Sequence, residues 1–306
     1  MPLNYDQLSA ITQKKFVAKL YDNVFDSNPI LQRLKQKSYE KLDGGERIVV
    51  PLNYAQVSAS GWYSGADTLS TTDNDVMTAA EYTWKQLYAN ISITGADERK
   101  NSGAAQILAL TKNKVKIAEK TMLDKLGTGI YSNGSDTKSI VGLRDIVAVD
   151  QTVGGISQST YSWWQAQVDS TTTVLSLPAL QARDNAATVN NDKPTVGVTT
   201  RTLYNSFWAL LQPQQRFMDA STAKAGFENL MFNGKPVMAD SYCPASHFFL
   251  LNENYLHLFV HKDADMKFEP FQKPVNQDVK VAKILWMGAF GSSNNRLHAA
   301  LTACTS

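Results

Sequence analysis

Four histidines (His247, His257, His261 and His298) and two cysteines (Cys243 and Cys304) are the residues best suited to hold a metal or attack a substrate. Their spacing suits neither task. No histidine stands in an H-E-x-x-H frame, and the cysteines form no C-x-x-C pair. The tightest group is His261-Lys262-Asp263-Ala264-Asp265, an imidazole beside two carboxylates. A cation would find oxygens there, but the glycine-containing, oxygen-rich loop of a calcium site is missing. Lys262 and Lys267 flank those carboxylates, so a solvated turn is the simpler reading. Gly127-Thr128-Gly129 follows a helical pattern instead of joining a strand to a helix. It reads as a helix stop, not as a phosphate cradle. With no G-x-S-x-G elbow and no P-loop either, the sequence predicts no catalytic residue, no cofactor and no metal site.

Two other groups suit contact better than catalysis. Trp62-Tyr63 sits within QVSASGWYSGADTLSTTDNDVMT, a stretch dominated by Ser, Thr, Gly and Asp. An aromatic pair on such a loop is expensive to leave in water and has the composition of a contact anchor. Packing against the chain's own body is the alternative. Lys112, Lys116 and Lys120 recur every four residues and so share one face of a helix. A solvated face is the plain reading of that row. Contact with acidic or backbone groups of an adjacent subunit is the sharper one.

The elements that must carry these groups follow from the patterning. Residues 11–36 hold two short helical patterns split at Ser27-Asn28-Pro29, too charged for a core of their own, and read as an arm lying on something else. After the Gly44-Gly45 break, Arg47–Val50 reads as a strand, and Pro51 gives it an edge. A partner strand is predicted over 79–94, with Tyr82, Trp84 and Tyr88 on one face and Leu87, Ile91 and Ile93 on the other. The connection between them exceeds the roughly 15 residues usual for a structureless loop. A two-stranded projection with an aromatic tip is expected.

A long helix is predicted over 102–126, capped by Ser102 and ended by Gly127 and Gly129. Its apolar stripe is Ile107, Thr111, Val115, Ala118, Met122 and Leu126, expected to pack on strands from the last thirty residues. Residues 138–252 mix short signals: helices over 175–187 and 200–217, strands over 194–198 and 235–238. A long alternating strand returns in VNQDVKVAKILWMGAF, then a turn at 291–294 and a last strand over 296–302.

The totals narrow the function classes. Thirty basic against twenty-eight acidic residues leave a formal charge of +2 over 306 residues, too even to grip nucleic acid by charge alone. Two unspaced cysteines read as reduced thiols. The start lacks a signal pattern, and no apolar run nears the roughly 20 residues of a membrane span. An α+β enzyme with a lid at 55–78 and another virion part, from a tail or a decoration layer, remain the competing readings.

The order of parts resembles the major capsid proteins of tailed bacteriophages, which share the Hong Kong 97 fold. The likeness extends to wording: GGERIVVPLNYAQVSASGWYSGADTLSTTDNDVMTAAEYTWKQ, NSGAAQILALTKNKVKIAEKTMLDKLGTGIYSNG, the VGL at 141–143 with YSWW after it, KAGFENLMFNGKPVMAD, and HKDADMKFEPFQKPVNQDVKVAKILWMG. That resemblance implies an α+β Hong Kong 97-type chain. Residues 1–44 would be an N-terminal arm, 45–95 an extended β-hairpin loop reaching over a neighbour, 96–137 and 253–306 a peripheral domain with a spine helix, and 138–252 an axial domain. It further implies self-assembly into hexamers and pentamers of an icosahedral head enclosing double-stranded DNA. The particle would be built in the host bacterial cytoplasm, with portal and decoration proteins as further partners. The chain reaches its arm at once, so scaffolding would come from a separate protein or be dispensable. Lys85 lies in the hairpin, but no cross-linking chemistry is carried over to it.

Overall fold

The computed structural model describes residues 29–72, 74–100, 104–215 and 230–305. The expected arm over 1–28 and the Ser102 cap lie outside the described residues. In chain order the main elements are α1 (Pro29–Lys37), β1 (Tyr39–Leu42), β2 (Arg47–Asn53), β3 (Met77–Thr83), β4 (Lys85–Thr94) and α2 (Ala104–Ile130). They continue with β5 (Gln167–Asp169), α3 (Leu177–Ala186), β6 (Val196–Thr199), α4 (Arg201–Gln215), β7 (Leu230–Phe232) and β8 (Lys235–Ala239). The last are β9 (Phe248–Leu251), β10 (Leu256–His261), β11 (Lys267–Gln272), β12 (Val279–Ser292) and β13 (Ala299–Leu301).

Two sheets organise the chain. In the first, β12 is central: β4 runs antiparallel along one side of it, β11 and β10 share the other, and β1 adds parallel to β10. The second has the order β7-β8-β6-β9-β13-β5. Alternation explains how the second sheet is covered. Successive strand residues point to opposite faces, and Phe248 and Leu250 join a core with Phe207 of α4 and Leu180 of α3. Phe249 and Leu251 face the other way, into the larger core shared with the first sheet. Strand β9 is therefore apolar throughout (FFLL) because both of its faces are covered.

Several expectations need correction. The predicted strand over 79–94 is two strands: β3 pairs with β2, and after Trp84 the chain crosses to β12 as β4. Trp84 marks the crossing by donating its indole N–H to the Gly45 carbonyl at 2.8 Å. The break also separates the expected aromatic face, since Tyr82 is buried and Tyr88 is 67% exposed. Helix α2 does not stop at Gly127. It runs through both glycines to Ile130, about 40 Å at 1.5 Å per residue. Each glycine costs about 1 kcal/mol against alanine in a helix, but Leu126 before them and Ile130 and Tyr131 after them are all buried. Packing overrides the local signal.

The helix is one continuous element, and Val115, Ala118, Met122 and Leu126 are buried as the stripe requires. The side chain of Ile107 lies outside the described residues. Its nearest strand is β4, with the Lys114 ammonium donating to the Ser92 carbonyl at 2.6 Å, and its stripe shares one core with Ala282, Ile284 and Trp286 of β12. Strand β12 lies beyond β4. At the end of the chain, β12 continues through Gly291 to Ser292, and β13 crosses into the second sheet. Residues 29–42 are also built into the chain's own body: Ile30, Leu31 and Leu34 are buried and β1 extends the first sheet.

Gly142 shows how tightly the chain closes after α2. A Cβ there would lie 2.2 Å from the Ser132 carbonyl oxygen and 2.4 Å from its nitrogen, both backbone atoms that cannot swing aside. Gly142→Ala is expected to cost about 1–3 kcal/mol by overpacking. A urea midpoint equal to that of the parent would show that the turn yields freely.

Candidate functional site

The structure places the four histidines and two cysteines apart: His257 lies between Glu40 (Nδ1 to Oε1, 2.9 Å) and the Ser293 hydroxyl (Nε2 to Oγ, 3.0 Å), and His247 has its Nδ1 2.8 Å from the Ala245 carbonyl. His298 is fully buried: its Nδ1 accepts the Asn252 amide at 3.1 Å, and burial holds its pKa down at about 3. The imidazole therefore stays neutral near pH 7. Cys243 and Cys304 are free and buried, and burial pushes both thiols up, Cys304 to about 11. A thiol so protonated is a poor nucleophile. In the His261–Asp265 turn, the Asp265 carboxylate accepts the Tyr39 hydroxyl at 2.6 Å and pairs with Lys41 at 2.8 Å. That carboxylate ties β1 to the body. No group of three or more potential ligands is gathered for a metal among the described residues.

The candidate contact residues whose side chains are described are exposed. The β2–β3 hairpin has its ladder from Arg47–Thr83 to Asn53–Met77, with an exposed Arg47–Glu81 ion pair at 2.6 Å. Beyond it the loop is irregular, held by the Tyr54 amide on the Val76 carbonyl at 3.0 Å and by Asn74 bridging Ser58 and Gln56. The two-stranded projection is thus shorter than expected, and its tip is a hydrogen-bonded loop. Trp62 is fully exposed and Tyr63 is 68% exposed. Val57 and Leu69 are exposed on the same tip. Packing on its own body, the alternative reading for Trp62, is not what this chain does.

On α2, Lys116 and Lys120 are exposed, while the side chain of Lys112 lies outside the described residues. Ile117, between them, is 63% exposed. It faces β4 across an open groove of about 380 Å³ lined by Tyr88–Ser92, Lys114, Ala118 and Thr121. The loop tip and this helix–strand groove are two exposed surfaces at which the sequence placed candidate contact residues.

What the sequence hid is the clamp on Glu253. This carboxylate is fully buried, yet it receives Arg33 in a two-pronged pair (Nη2 at 2.8 Å), Lys37 at 2.9 Å and the Thr195 hydroxyl at 3.1 Å. Its backbone carbonyl also accepts the Ser38 hydroxyl at 2.6 Å. Burial pushes its pKa up, but the hydrogen bonds from Arg33 and Lys37 outweigh that and hold it below the usual glutamate value. The i, i+4 spacing of Arg33 and Lys37 was the available signal, because it puts two cations on one face of α1.

No family model matches the sequence, and no curated protein matches it either. Solved structures do. A chain of the cyanophage A-1(L) capsid asymmetric unit superposes with a TM-score of 0.68 at 16% identity, over 91% of this chain and 93% of that one. The capsid of a native GTA particle gives 0.63 at 14%, over 89% and 90%. The holo-SrpI encapsulin complex of Synechococcus elongatus gives 0.58 at 11%, over 89% and 86%. Agreement over 89–91% of this chain with structures so different in sequence identifies an architecture: this chain has the α+β Hong Kong 97-type capsid fold.

Proposed function

We propose that this chain is a shell-forming subunit, the major capsid protein of a tailed-phage particle, and that it catalyses nothing. One observation carries the reading: a chain with this fold over 91% of its length displays an aromatic loop that its own body leaves unburied. A projection ending in bare Trp and Tyr is costly alone and favourable once a neighbour covers it. Closed symmetry supplies that neighbour as another copy of the same chain. In this reading the 45–95 hairpin lies over an adjacent subunit, α2 is the peripheral spine, and the second sheet turns its tip toward the capsomer axis. Hexamers and pentamers close into an icosahedral head around double-stranded DNA. Near-neutral charge suits a wall that encloses DNA without gripping it. Scaffolding, portal and decoration proteins are its proposed partners, and the virion its place.

The second reading is the shell of an encapsulin or of a GTA particle, favoured by the match to both kinds of particle. Negative-stain microscopy of the expressed chain tests the shared core of these readings. Closed hollow particles, or the hexamers and pentamers that build them, are expected. A monodisperse small oligomer with a saturable small-molecule site would support the lid-loop enzyme instead.

A further inference from the structure

We infer that Asn133-Gly134 is a self-modification site, where Asn133 turns to aspartate and isoaspartate by backbone chemistry, while Asn233-Gly234 is protected by its neighbours. These are the two Asn-Gly pairs of the chain. The reaction open to both is the same. The glycine backbone nitrogen attacks Cγ of the asparagine and closes a cyclic imide. A new Cγ–N bond forms, the Cγ–Nδ2 bond breaks, and Nδ2 leaves as ammonia with the proton of the glycine amide. Solvent water then opens the imide at one of its two carbonyls. Opening at Cγ gives aspartate. Opening at the main-chain carbonyl gives isoaspartate, with an extra methylene in the backbone. Asparagine and water have become an acid and ammonia, with nothing oxidised or reduced. Glycine carries no Cβ to shield the attacking nitrogen, and adjacency in the chain makes the attack intramolecular. Surroundings therefore decide which pair reacts.

At Asn133 the surroundings favour attack. Asn133, Gly134 and Ser135 are all exposed. The Ser135 amide donates to the Asn133 Oδ1 at 3.4 Å, so a donor already points at the oxygen that gains negative charge as Cγ becomes tetrahedral. Among the described residues nothing holds the leaving Nδ2, and the Gly134 amide has only the long bond to the Ser132 hydroxyl at 3.3 Å. At Asn233 the restraints run the other way. The pair makes the tight turn between β7 and β8, with φ of +48° at Asn233 and +76° at Gly234. The Asn233 Nδ2 donates to the Gln181 Oε1 at 2.6 Å and to the Asp184 Oδ2 at 3.1 Å, so its departure breaks two hydrogen bonds. An acid in its place would face Asp184, a buried carboxylate already paired with Lys235. Like charges oppose that product. The loop that does react is anchored by the buried Tyr131 and Ile140, and its Thr137 carbonyl accepts the Lys85 ammonium at 2.6 Å. The new carboxylate thus appears near the root of β4, with Asp145 beside Gly134.

Peptide mapping by mass spectrometry tests the contrast on the full chain, fresh and after incubation in mildly alkaline buffer. Asn133 is the one asparagine of the tryptic peptide 126–138, so a deamidated form of that peptide reports it directly. In the folded chain, acid at 133 is expected to accumulate at least about tenfold faster than at 233. In guanidinium chloride, which removes both surroundings, the two sites are expected to react within about threefold of each other. Equal rates in the folded chain would overturn the assignment. So would an Asn133 that stays intact over the time in which the unfolded chain reacts. A contrast that persists undiminished in denaturant would show that neighbouring residue types, and not the fold, set the two rates, and would overturn it as well.

Discussion

Replacing Trp62 and Tyr63 together by serine is expected to abolish particle formation while leaving the free subunit as stable as its parent. Both halves follow from exposure. Trp62 is fully exposed and Tyr63 about two-thirds exposed, and neither belongs to a core cluster, so their removal leaves the body untouched. If a neighbour covers them, each lost side chain removes about 1.5–3 kcal/mol of burial. A deficit of 1.4 kcal/mol is already tenfold in an equilibrium constant, and the contact recurs at every subunit of a shell. Particle yield by sedimentation is expected to fall by at least about a hundredfold for the pair. Assembly at parental efficiency would mean that these aromatics are not the anchor. Unfolding of the free subunit would mean that they belong to its own core.

Glu253→Gln is expected to have the largest effect on the subunit itself. The carboxylate joins α1, the residue before β6 and the start of β10, three segments distant in the chain, and it is wholly buried. Removing one partner of such an ionic cluster costs about 3–5 kcal/mol where the remaining charges stay buried. Here Arg33 and Lys37 are 26% and 45% exposed at their side chains, and water recovers part of the loss. About 3 kcal/mol is expected from urea unfolding. The pH dependence has a definite sign. Because the folded-state pKa of Glu253 is lowered, its contribution is present above the unfolded value of about 4.3 and disappears as pH falls through the folded one. Between about pH 5 and pH 3 the parent should lose stability faster than Glu253→Gln. Parallel curves would show that the clamp contributes nothing.

The hairpin, the aromatic tip, the long helix and the returning long strand were legible because each has a local signature. Pro51 and the alternation of 47–53 announced an edge strand, and the stripe through Val115 and Met122 announced a helix buried on one side. The misreadings share a cause: each depended on what the element packs against. Gly127 and Gly129 look like a stop until Leu126 and Ile130 are seen buried around them. Residues 79–94 look like one strand because alternation does not record a change of sheet at Trp84. Residues 29–37 look like a loose arm because the acid that neutralises Arg33 and Lys37 is more than two hundred residues away. Half of the candidate contact surface was legible too. The lysine row was visible by period, but Tyr88 and Ile117 become a groove only once β4 lies beside α2.

In the proposed reading this subunit closes shells through a loop laid on its neighbour. Cryo-electron microscopy of particles purified from cells expressing the chain tests it most directly. The expected map is a closed icosahedral shell in which residues 56–76 of each subunit rest on an adjacent copy, with Trp62 and Tyr63 covered. A map with the loop folded back on its own subunit, or the absence of any closed particle, would contradict it.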